Sequence, residues 1–330
     1  MSDASIAVVI PHYQRQPGLL GAALKSAFAQ TLAGQMHVVI CDDGSPWPAA
    51  DEVDGNPELP RDQITIIRRV NGGAGAARNT ALDHVPATTR YVAFLDSDDA
   101  WRPQHLENAV HALALGYDAY FANFIGVGYP DQSHFERIGT LNPADHPLLD
   151  ASRSLHALSC SALEHTVSDG GGLIGTPTVV YDHQKFAHLR FREEFYNGQD
   201  FFFWMDLSEL GARYAFSYEV ECDNGTGINI YQASGWGSEK SLQRLRNEIF
   251  VWTSVERFYS LNAGLKAANR RTIRNLQDGV VRDLLFRLRH RRPISFKLLK
   301  EIVGMDPAIL YRAPLTPLRI VAEKLRPGRK

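Results

Sequence analysis

The first 120 residues alternate short apolar runs with stretches of helical periodicity, and this alternation limits the folds open to the chain. The apolar runs begin at residues 6, 38, 64 and 91 and are rich in β-branched and aromatic side chains. Amphipathic stretches, among them 74–84 and 104–115, lie between or after them. Strands that alternate with helices predict a mostly parallel sheet with helices on both faces. Ligands of such sheets bind beyond the carboxyl ends of the strands.

Polar residues follow the predicted strands at those ends. The first strand leads into Pro11–Tyr13, the second into Asp42–Ser45 and the third into a glycine-rich segment, 71–79. After the fourth comes Asp96-Ser97-Asp98-Asp99, here called the acidic loop. Three carboxylates within four residues repel one another, which favours a cation such as a metal that holds a phosphorylated ligand. The alternative is an ordinary loop in which Asp99 or Ser97 caps a helix starting near Pro103.

The bulk composition is that of an ordinary globular protein. With 44% hydrophobic and 22% charged residues, 330 residues are enough for one large domain and an appendage. We expect no membrane span, because no apolar run approaches about 18 residues, and no secretory signal at the N-terminus. Cys41, Cys160 and Cys222 match neither a disulfide framework nor a zinc site, which favours a reducing cytoplasm.

The charge is divided unevenly along the chain. From Lys266 to Lys330 there are 17 Lys and Arg against five Asp and Glu, although the whole chain has a net charge of −2. Apolar residues from Ile273 to Leu288 recur at helical spacing among these bases. This pattern predicts peripheral binding to an anionic membrane. The alternative is that the stripe packs on the catalytic domain or on a second subunit. Nucleic-acid binding is not expected, because no aromatic–basic motif accompanies the charge.

The ordered set of loops resembles the family 2 glycosyltransferases, inverting nucleotide-sugar enzymes with the GT-A fold. The resemblance covers about residues 4–235 and continues past the acidic loop to Gly198-Gln199-Asp200. More narrowly, the chain is similar to bacterial exopolysaccharide glucosyltransferases of succinoglycan-type assembly, through Pro11–Arg15, Phe28–Thr31 and Gly225–Ile230. The family resemblance implies a GT-A catalytic domain over 1–235, with a nucleotide-binding half (1–120) and an acceptor-binding half (121–235). Residues 236–330 would form an α-helical basic extension.

The resemblance also implies a donor site. Asp43 would accept hydrogen bonds from uracil, and Pro11 and Tyr13 would line the base pocket. Asp42 would contact the ribose or shape its loop. Arg78 would lie near the uracil or the diphosphate, where a planar guanidinium donates several charge-assisted hydrogen bonds. Its alternative is a surface arginine that pairs with Asp83 or Asp42.

The acidic loop would then hold the rest of the donor. Asp96 resembles the residue that contacts the ribose and the metal, and Ser97 belongs to the same donor-binding set. Asp98 resembles the principal metal ligand, and Asp99 would cap the next helix or support the site from behind. The metal would be Mg2+ or Mn2+, which bridges both phosphates and neutralises charge as the nucleoside diphosphate leaves.

Asp200 fills the position of the family's catalytic base. Inversion is a single displacement, so the acceptor hydroxyl loses its proton to a carboxylate as it attacks. The alternative for Asp200 is an N-cap of the following apolar helix. Gln199 stands where the family usually has Glu, and Gln232 lies where many relatives have a histidine. Trp236 would belong to a flap over the donor or, equally, to ordinary packing.

These residues together predict a cytoplasmic, peripheral, metal-dependent glycosyltransferase that moves glucose from UDP-glucose to a lipid-linked saccharide. A rival enzyme is a sugar-1-phosphate nucleotidyltransferase, but Pro11–Tyr13 is not the basic glycine-rich loop expected of one. The non-enzyme rival is a silent scaffold of a polysaccharide assembly complex, for which Gln199 and Gln232 are the reason.

Overall fold

A computed structural model of the chain describes residues 6–227 and 235–312. These residues fall into two compact units, divided between 227 and 235. The first unit contains a sheet with helices on both faces, and the described part of the second is helical. The division of the chain at residue 235, and of the catalytic region at residue 120, stays a prediction.

The sheet has ten strands. They are β1 (Ile6–His12), β2 (Met36–Asp42), β3 (Ile64–Arg68), β4 (Tyr91–Phe94), β5 (Ala100–Trp101), β6 (Ala119–Ile125), β7 (Leu148–Asp150), β8 (Leu155–Ala157), β9 (Val180–Asp182) and β10 (Tyr214–Asp223). Their order is β3-β2-β1-β4-β9-β6-β10-β8-β7, and β5 pairs with β10. The half formed by β3, β2, β1 and β4 is parallel, as is the pair β6–β10. The antiparallel β9 joins these two parts.

Eight helices of the first unit cover the sheet or connect its strands. They are α1 (Leu19–Phe28), α2 (Ala49–Asp54), α3 (Ala74–Leu82), α4 (His105–Ala114), α5 (His134–Ile138), α6 (Ala162–Asp169), α7 (His183–Phe186) and α8 (Gln199–Glu209). Successive side chains of a strand point to opposite faces, and both faces of β1 are buried. Ile6 and Val8 join a core with α1, α2 and α4, whereas Ala7 and Val9 join a second core with α3, α6 and α8. The predicted sheet with helices on both faces is confirmed.

The register of the parallel strands brings their carboxyl ends to one edge. His12 at the end of β1 lies opposite Asp42 at the end of β2, and Asp42 lies opposite Arg68 of β3. The amide of Leu95, just after β4, donates to the carbonyl of Val9 at 3.1 Å. The loops that follow β1, β2 and β4 therefore start at the same edge of the sheet.

The described part of the second unit consists of α9 (Ser241–Phe258), α10 (Ala263–Arg289), α11 (Phe296–Met305) and α12 (Ile309–Arg312). The predicted basic amphipathic stripe lies on α10. Its members Leu276, Val280 and Leu284 pack in a core formed within this unit, whereas Leu288 is 66% exposed. Part of the stripe therefore packs inside its own unit. Across the described ranges we find no helix with the length and apolarity to cross a bilayer.

Candidate active site

The acidic loop is a tight turn that starts two residues after β4. The amide of Asp99 donates to the carbonyl of Asp96 at 3.1 Å and closes the turn. Asp96 and Asp98 are partly exposed, whereas Ser97 and Asp99 are buried. The loop therefore offers two carboxylates to a ligand and keeps a third beneath them.

Two glycine amides donate hydrogen bonds to carboxylates of the acidic loop. The amide of Gly225 donates to Oδ1 of Asp99 at 2.8 Å, and that of Gly227 donates to Oδ2 of Asp98 at 2.9 Å. Burial raises the pKa of Asp99 well above its ordinary value, and the neighbouring carboxylates raise it further. Burial, followed by the charge of Asp96, raises the pKa of Asp98 to about 6. The ionised form of the loop is thus disfavoured, chiefly by burial and then by repulsion among its carboxylates.

The helix-cap interpretation of the acidic loop is wrong. The residue at the N-cap position of α4 is Gln104, which makes no side-chain capping bond. Strand β5 separates the loop from this helix because Ala100 pairs with Asp223 of β10. Asp99 instead accepts a hydrogen bond from Gly225, so it supports the loop from behind.

Arg78, in α3, pairs with Asp96 of the acidic loop, and its charge also acts on Asp200 of α8. Its side chain is 4% exposed, and Nη2 donates to Oδ1 of Asp96 at 2.5 Å. Within residues 6–227 and 235–312, no hydrogen-bond partner is found for its Nε or Nη1. Burial raises the pKa of Asp99 and of Asp200, and the charge of Arg78 partly offsets both rises. Arg78 therefore acts on the acidic loop and on the predicted base at once.

The surface-arginine alternative for Arg78 is wrong. Asp83 pairs with Arg190, whose Nη2 lies 2.7 Å from Oδ1. Asp42 uses Oδ1 to accept from the amide of Ser45 at 2.8 Å and Oδ2 to accept from the amide of Ala49 at 2.9 Å. Asp42 thus fixes the loop after β2, which is one of the two roles predicted for it.

Asp200 is the second residue of α8, whose N-cap position is Gly198. The N-cap alternative for Asp200 is therefore wrong. Its Oδ1 accepts from the amide of Phe201 at 2.9 Å, and its Oδ2 accepts from the hydroxyl of Thr176 at 3.2 Å. Burial raises the pKa of Asp200, while Arg78 and these two donors work against the rise. A carboxylate with one donor on each oxygen keeps lone pairs for a substrate hydroxyl.

Gln199 is the first residue of α8 and faces α3. A Cβ on Gly75 would lie 3.2 Å from Cγ of Gln199, so the two helices meet closely at this point. Gln199 is buried, and in the described part of the chain its Oε1 has no hydrogen-bond partner. Its role toward an acceptor stays a prediction.

Asp43 joins the loop after β2 to the glycine-rich segment. Its carboxylate accepts from the amide of Gly72 at 2.9 Å and from that of Gly73 at 2.8 Å, and Nε of Arg69 lies 3.3 Å from Oδ1. Burial raises the pKa of Asp43, and the two amides and Arg69 lower it. Several lone pairs of Asp43 are therefore already used within the protein, and recognition of uracil by this residue stays a prediction.

Pro11 and Tyr13 flank the buried His12 at the end of β1, and both are partly exposed. The next residue, Gln14, is buried and ties three loops together. Its Nε2 donates to Oγ of Ser97 at 3.0 Å, and its amide donates to Oγ of Ser45 at 2.8 Å. Ser97 is thus fixed by the loop after β1.

The two remaining predicted residues lie after the sheet. Trp236 belongs to the second unit, where a Cβ on Gly279 of α10 would lie 3.6 Å from its indole ring. The neighbouring amide of Gly237 donates to Oδ1 of Asp283 at 2.6 Å. Gln232 lies outside the described residues. An acceptor or flap role for either residue stays a prediction.

Comparisons with known proteins identify the family. The sequence model described as "Glycosyl transferase family 2" matches residues 7–161. The succinoglycan biosynthesis protein ExoW of Rhizobium meliloti (strain 1021) is 32% identical over 320 residues, which are 94% of this chain and 97% of the relative. The chain belongs to glycosyltransferase family 2.

A further relative is similar over a shorter stretch. The Escherichia coli protein named UDP-Glc:alpha-D-GlcNAc-diphosphoundecaprenol beta-1,3-glucosyltransferase WfgD is 33% identical over 114 residues. The match spans 34% of this chain and 42% of WfgD.

Solved structures with low sequence identity share the fold. S. aureus TarS 1-349 in complex with UDP-GlcNAc aligns with a TM-score of 0.59 at 17% identity, over 94% of this chain and 81% of that chain. The mannosyltransferase PcManGT from Pyrobaculum calidifontis, in complex with GDP-Man and Mn2+, gives 0.57 at 16% identity, over 96% and 85%. The protein is thus a family 2 glycosyltransferase with the predicted GT-A fold.

The acidic loop of this glycosyltransferase fits a cation that arrives with its ligand. Among the residues that the structure describes, no three His, Cys, Asp or Glu side chains are placed to hold a metal by themselves. Asp98 nevertheless lies beside the carboxylate of Asp96, and burial followed by the charge of Asp96 raises its pKa to about 6. Mg2+ is commonly held by one or two carboxylates together with substrate phosphates and water. Asp96 and Asp98 fit that kind of site.

Sequence reasoning missed the roles of Gly225, Gly227 and Gln14. Gly225 and Gly227 were part of the narrower resemblance, yet nothing in it indicated that their amides lie on the acidic loop. The available signal was two glycines separated by one residue, which allows a close approach of backbone to a partner. Within Pro11–Arg15, nothing in the sequence distinguished Gln14 as a residue that would bond to two other loops.

Proposed function

We propose that this glycosyltransferase is a metal-dependent inverting enzyme of exopolysaccharide biosynthesis. It moves glucose from UDP-glucose to a hydroxyl of a lipid-linked oligosaccharide and forms a β-glycosidic bond. The similarity to ExoW over nearly the whole chain supports the polysaccharide assignment. The name of WfgD, a UDP-glucose-dependent β-1,3-glucosyltransferase, supports the donor and the linkage type.

One observation carries the proposal. Arg78 is almost fully enclosed and bonded to Asp96, and two of its nitrogens lack partners among the described residues. Buried donors are normally satisfied, so a guanidinium with unused N–H groups favours an anionic ligand. The same charge acts on Asp200. This supports a diphosphate beside Arg78 and a reacting sugar between it and Asp200.

Asp200 then acts as the general base. Its carboxylate, oriented by Thr176 and by the amide of Phe201, accepts the proton of the acceptor hydroxyl as that oxygen attacks the anomeric carbon. A single displacement inverts the configuration, so an α-linked donor gives a β-linked product. Arg78 stabilises the charge that develops on the leaving diphosphate.

Asp98 and Asp96 would hold Mg2+ or Mn2+. When bound, the cation neutralises negative charge on the diphosphate as it leaves. Asp99 keeps the loop in place through its bond to Gly225. The Mn2+ complex of PcManGT supports a divalent cation in this fold but leaves the choice of metal open.

The uridine would lie at the edge formed by the loops after β1 and β2. Pro11 and Tyr13 are partly exposed there and would line the base pocket. Asp43 would contribute to uracil recognition with a lone pair that the glycine amides leave unused. TarS was solved with UDP and with UDP-GlcNAc, which supports a uridine donor, whereas PcManGT was solved with GDP-Man.

The second unit would bring the enzyme to its lipid-linked acceptor on the inner face of the cytoplasmic membrane. Around the junction of α10 and α11, Leu288 is 66% exposed and Phe296 is 81% exposed. The bases between and beside them, Arg289, Arg291, Arg292 and Lys297, are exposed as well. Apolar insertion and attraction to anionic lipid add in such a surface. A homodimer remains the alternative use of these helices.

The test is release of nucleoside diphosphate from a donor panel with a lipid extract as acceptor. The panel contains UDP-glucose, UDP-galactose, UDP-N-acetylglucosamine and GDP-mannose, each with Mg2+, with Mn2+ and with EDTA. We expect UDP release from UDP-glucose only when metal is present, and a β-linked glucose in the product by NMR.

Asp98→Ala should lower that release by about 100-fold or more while the protein stays folded. Asp131→Ala, at an exposed aspartate outside the acidic loop, is the matched control and should leave it unchanged. Turnover of GDP-mannose alone would refute the uridine assignment. No turnover of any donor would favour a silent scaffold.

A further inference from the structure

A polar pocket lies on the face of the sheet away from α8. Its volume is about 550 Å3, and α4, the segment before β8 and strand β10 line it. Tyr120, beneath it, packs in the core with α1 and α4, whereas Phe203 and Trp204 of α8 pack in the core on the other face. The pocket is therefore not part of the site that contains Asp200.

The floor of the pocket is a rigid hydrogen-bonded cluster around Glu221. This carboxylate is 3% exposed and accepts from Nδ2 of Asn108 at 2.7 Å and from the hydroxyl of Tyr120 at 2.7 Å. Nδ1 of His105 lies 2.8 Å from its other oxygen. The opposite ring nitrogen, Nε2, is buried and has no partner within the described ranges. His105 is itself 0% exposed, so this cluster fixes the shape of the floor and leaves ligand contacts to the rim.

The rim of the pocket has balanced charge. Nη2 of Arg153 lies 2.8 Å from Oε1 of Glu107, and Nη2 of Arg102 lies 3.1 Å from Oδ1 of Asp223. Glu219 adds an exposed carboxylate that accepts from Ser154 at 2.7 Å. Because each arginine already has a carboxylate, a phosphate would have to break an ion pair and meet nearby acids.

The chemistry of the lining selects the ligand class. Val220 is the one apolar residue among those that line the pocket, so an apolar ligand would gain little. At the exposed rim, the side-chain amide of Gln104 both donates and accepts, and the carboxylate of Glu219 accepts. Vicinal sugar hydroxyls donate and accept at once and match such a surface without adding charge.

We infer that this pocket binds neutral hexose units of the saccharide on which the enzyme works, at a site separate from the reacting hydroxyl. That the ligand is the enzyme's own saccharide rests on the proposed function. That a non-reacting binding site exists rests on the position and lining of the pocket. Such a site would hold the chain by its hydroxyls while Asp200 acts on another unit.

The test is calorimetric and NMR titration of the full-length protein with laminaritetraose and cellotetraose, two neutral β-linked glucose oligosaccharides. We expect binding with a Kd of roughly 0.1–10 mM. The rim variant Gln104→Ala/Glu219→Ala should weaken it by about 10-fold or more, because both residues are exposed and the floor stays intact. Gln132→Ala/Glu209→Ala, an exposed pair elsewhere in the first unit, is the matched control. Asp200→Asn should bind the oligosaccharides like the wild type.

Three outcomes would overturn the inference: no binding of either oligosaccharide, binding unaffected by the rim variant, or binding abolished by Asp200→Asn. Titration with UDP serves as the anionic probe, and a loss of UDP affinity in the rim variant would also count against a neutral ligand. If oligosaccharides bind through the rim but no donor turns over, the proposed function fails and the pocket stands. If UDP-glucose turns over without oligosaccharide binding, only the pocket fails.

Discussion

Gly225 lies so close to Asp98 that no side chain fits between them. A Cβ on Gly225 would lie 1.6 Å from the carbonyl oxygen of Asp98, well inside any real contact distance. The same stretch continues to Gly227, whose amide donates to the Asp98 carboxylate. Two residues 127 positions apart in the chain are therefore held together at the predicted metal position, and the backbone of one fixes the shape of the other.

Gly225→Ala should displace the acidic loop. The added methyl group meets backbone rather than a flexible side chain, so the loop or the glycine segment has to shift. We expect a loss of about 1–3 kcal/mol in the free energy of unfolding and a weaker metal response in donor turnover. Denaturant unfolding and metal titration of UDP release measure the two effects. Gly34→Ala is the control, since a Cβ there has no neighbour within 4 Å; equal behaviour of both variants would contradict the prediction.

Asp98→Asn should stabilise the metal-free protein at about pH 7.5. The folded-state pKa of Asp98 is about 6, above the value of an unfolded aspartate, so ionisation of this group disfavours the fold once the pH rises through 6. We expect a gain of about 1–2 kcal/mol, after allowance for partial solvent exposure. Below about pH 4 the advantage should vanish, because the wild-type carboxyl is then protonated in both states.

The measurement for Asp98→Asn is urea unfolding across this pH range with EDTA present. Adding Mg2+ or Mn2+ with UDP should stabilise the wild type more than the variant. A variant that is less stable than the wild type at about pH 7.5 would show that the Asp98 charge is already compensated within the protein.

Asp200→Asn should lower kcat and leave the donor KM nearly unchanged. The amide keeps the shape of the carboxylate and can still accept from Thr176 or Phe201, but it cannot take the acceptor proton. We expect a fall in kcat of about 100- to 10,000-fold. Steady-state kinetics with varied donor concentration separate the two constants. A rise in donor KM at unchanged kcat would instead assign Asp200 to donor binding.

The acid limb of kcat should lie above the usual range for an aspartate. Burial raises the pKa of Asp200, and a base that must be ionised loses activity as the pH falls through that pKa. Thr176 lowers this pKa through its hydrogen bond. Thr176→Val should therefore move the acid limb to higher pH, because the hydrogen bond that favours the ionised carboxylate is lost. A pH profile of kcat at saturating substrates measures it, and a shift to lower pH would argue against Asp200 as the base.

Leu288→Glu/Phe296→Glu should weaken binding to anionic vesicles. Both side chains are exposed near the α10–α11 junction, and each change removes apolar surface and adds a negative charge beside the bases. Co-sedimentation with phosphatidylglycerol vesicles should fall by about 10-fold or more, and wild-type binding should weaken as salt rises. Leu115→Glu, at a leucine that is 50% exposed in the first unit, should bind like the wild type. Equal binding of all three proteins would refute the membrane assignment.

Local elements could be predicted well from the sequence. The helix expected over 74–84 is observed at Ala74–Leu82, and that expected over 104–115 is observed at His105–Ala114. The four strands of the first 120 residues lie where the apolar runs are, because both faces of β1, β2 and β4 are buried, whereas β3 at the edge of the sheet is only partly buried. Strands β5 to β10 were not predicted; β5, β7, β8 and β9 have only two or three residues, which are too few to establish a period.

Which loops contribute to the candidate site could likewise be predicted from the sequence, but the contacts between their side chains could not. Polar loops after successive parallel strands must meet at one edge, so the acidic loop and the loops after β1 and β2 could be grouped from the sequence alone. Which side chains touch was decided by packing. Arg78 pairs with Asp96 rather than with Asp83, which pairs with Arg190, and Asp99 accepts from Gly225 rather than capping α4. The periodicity of apolar residues indicates which side chains are buried. Hydrogen-bond and ion-pair partners that are distant in the chain depend on strand register and helix placement, which only the tertiary structure fixes.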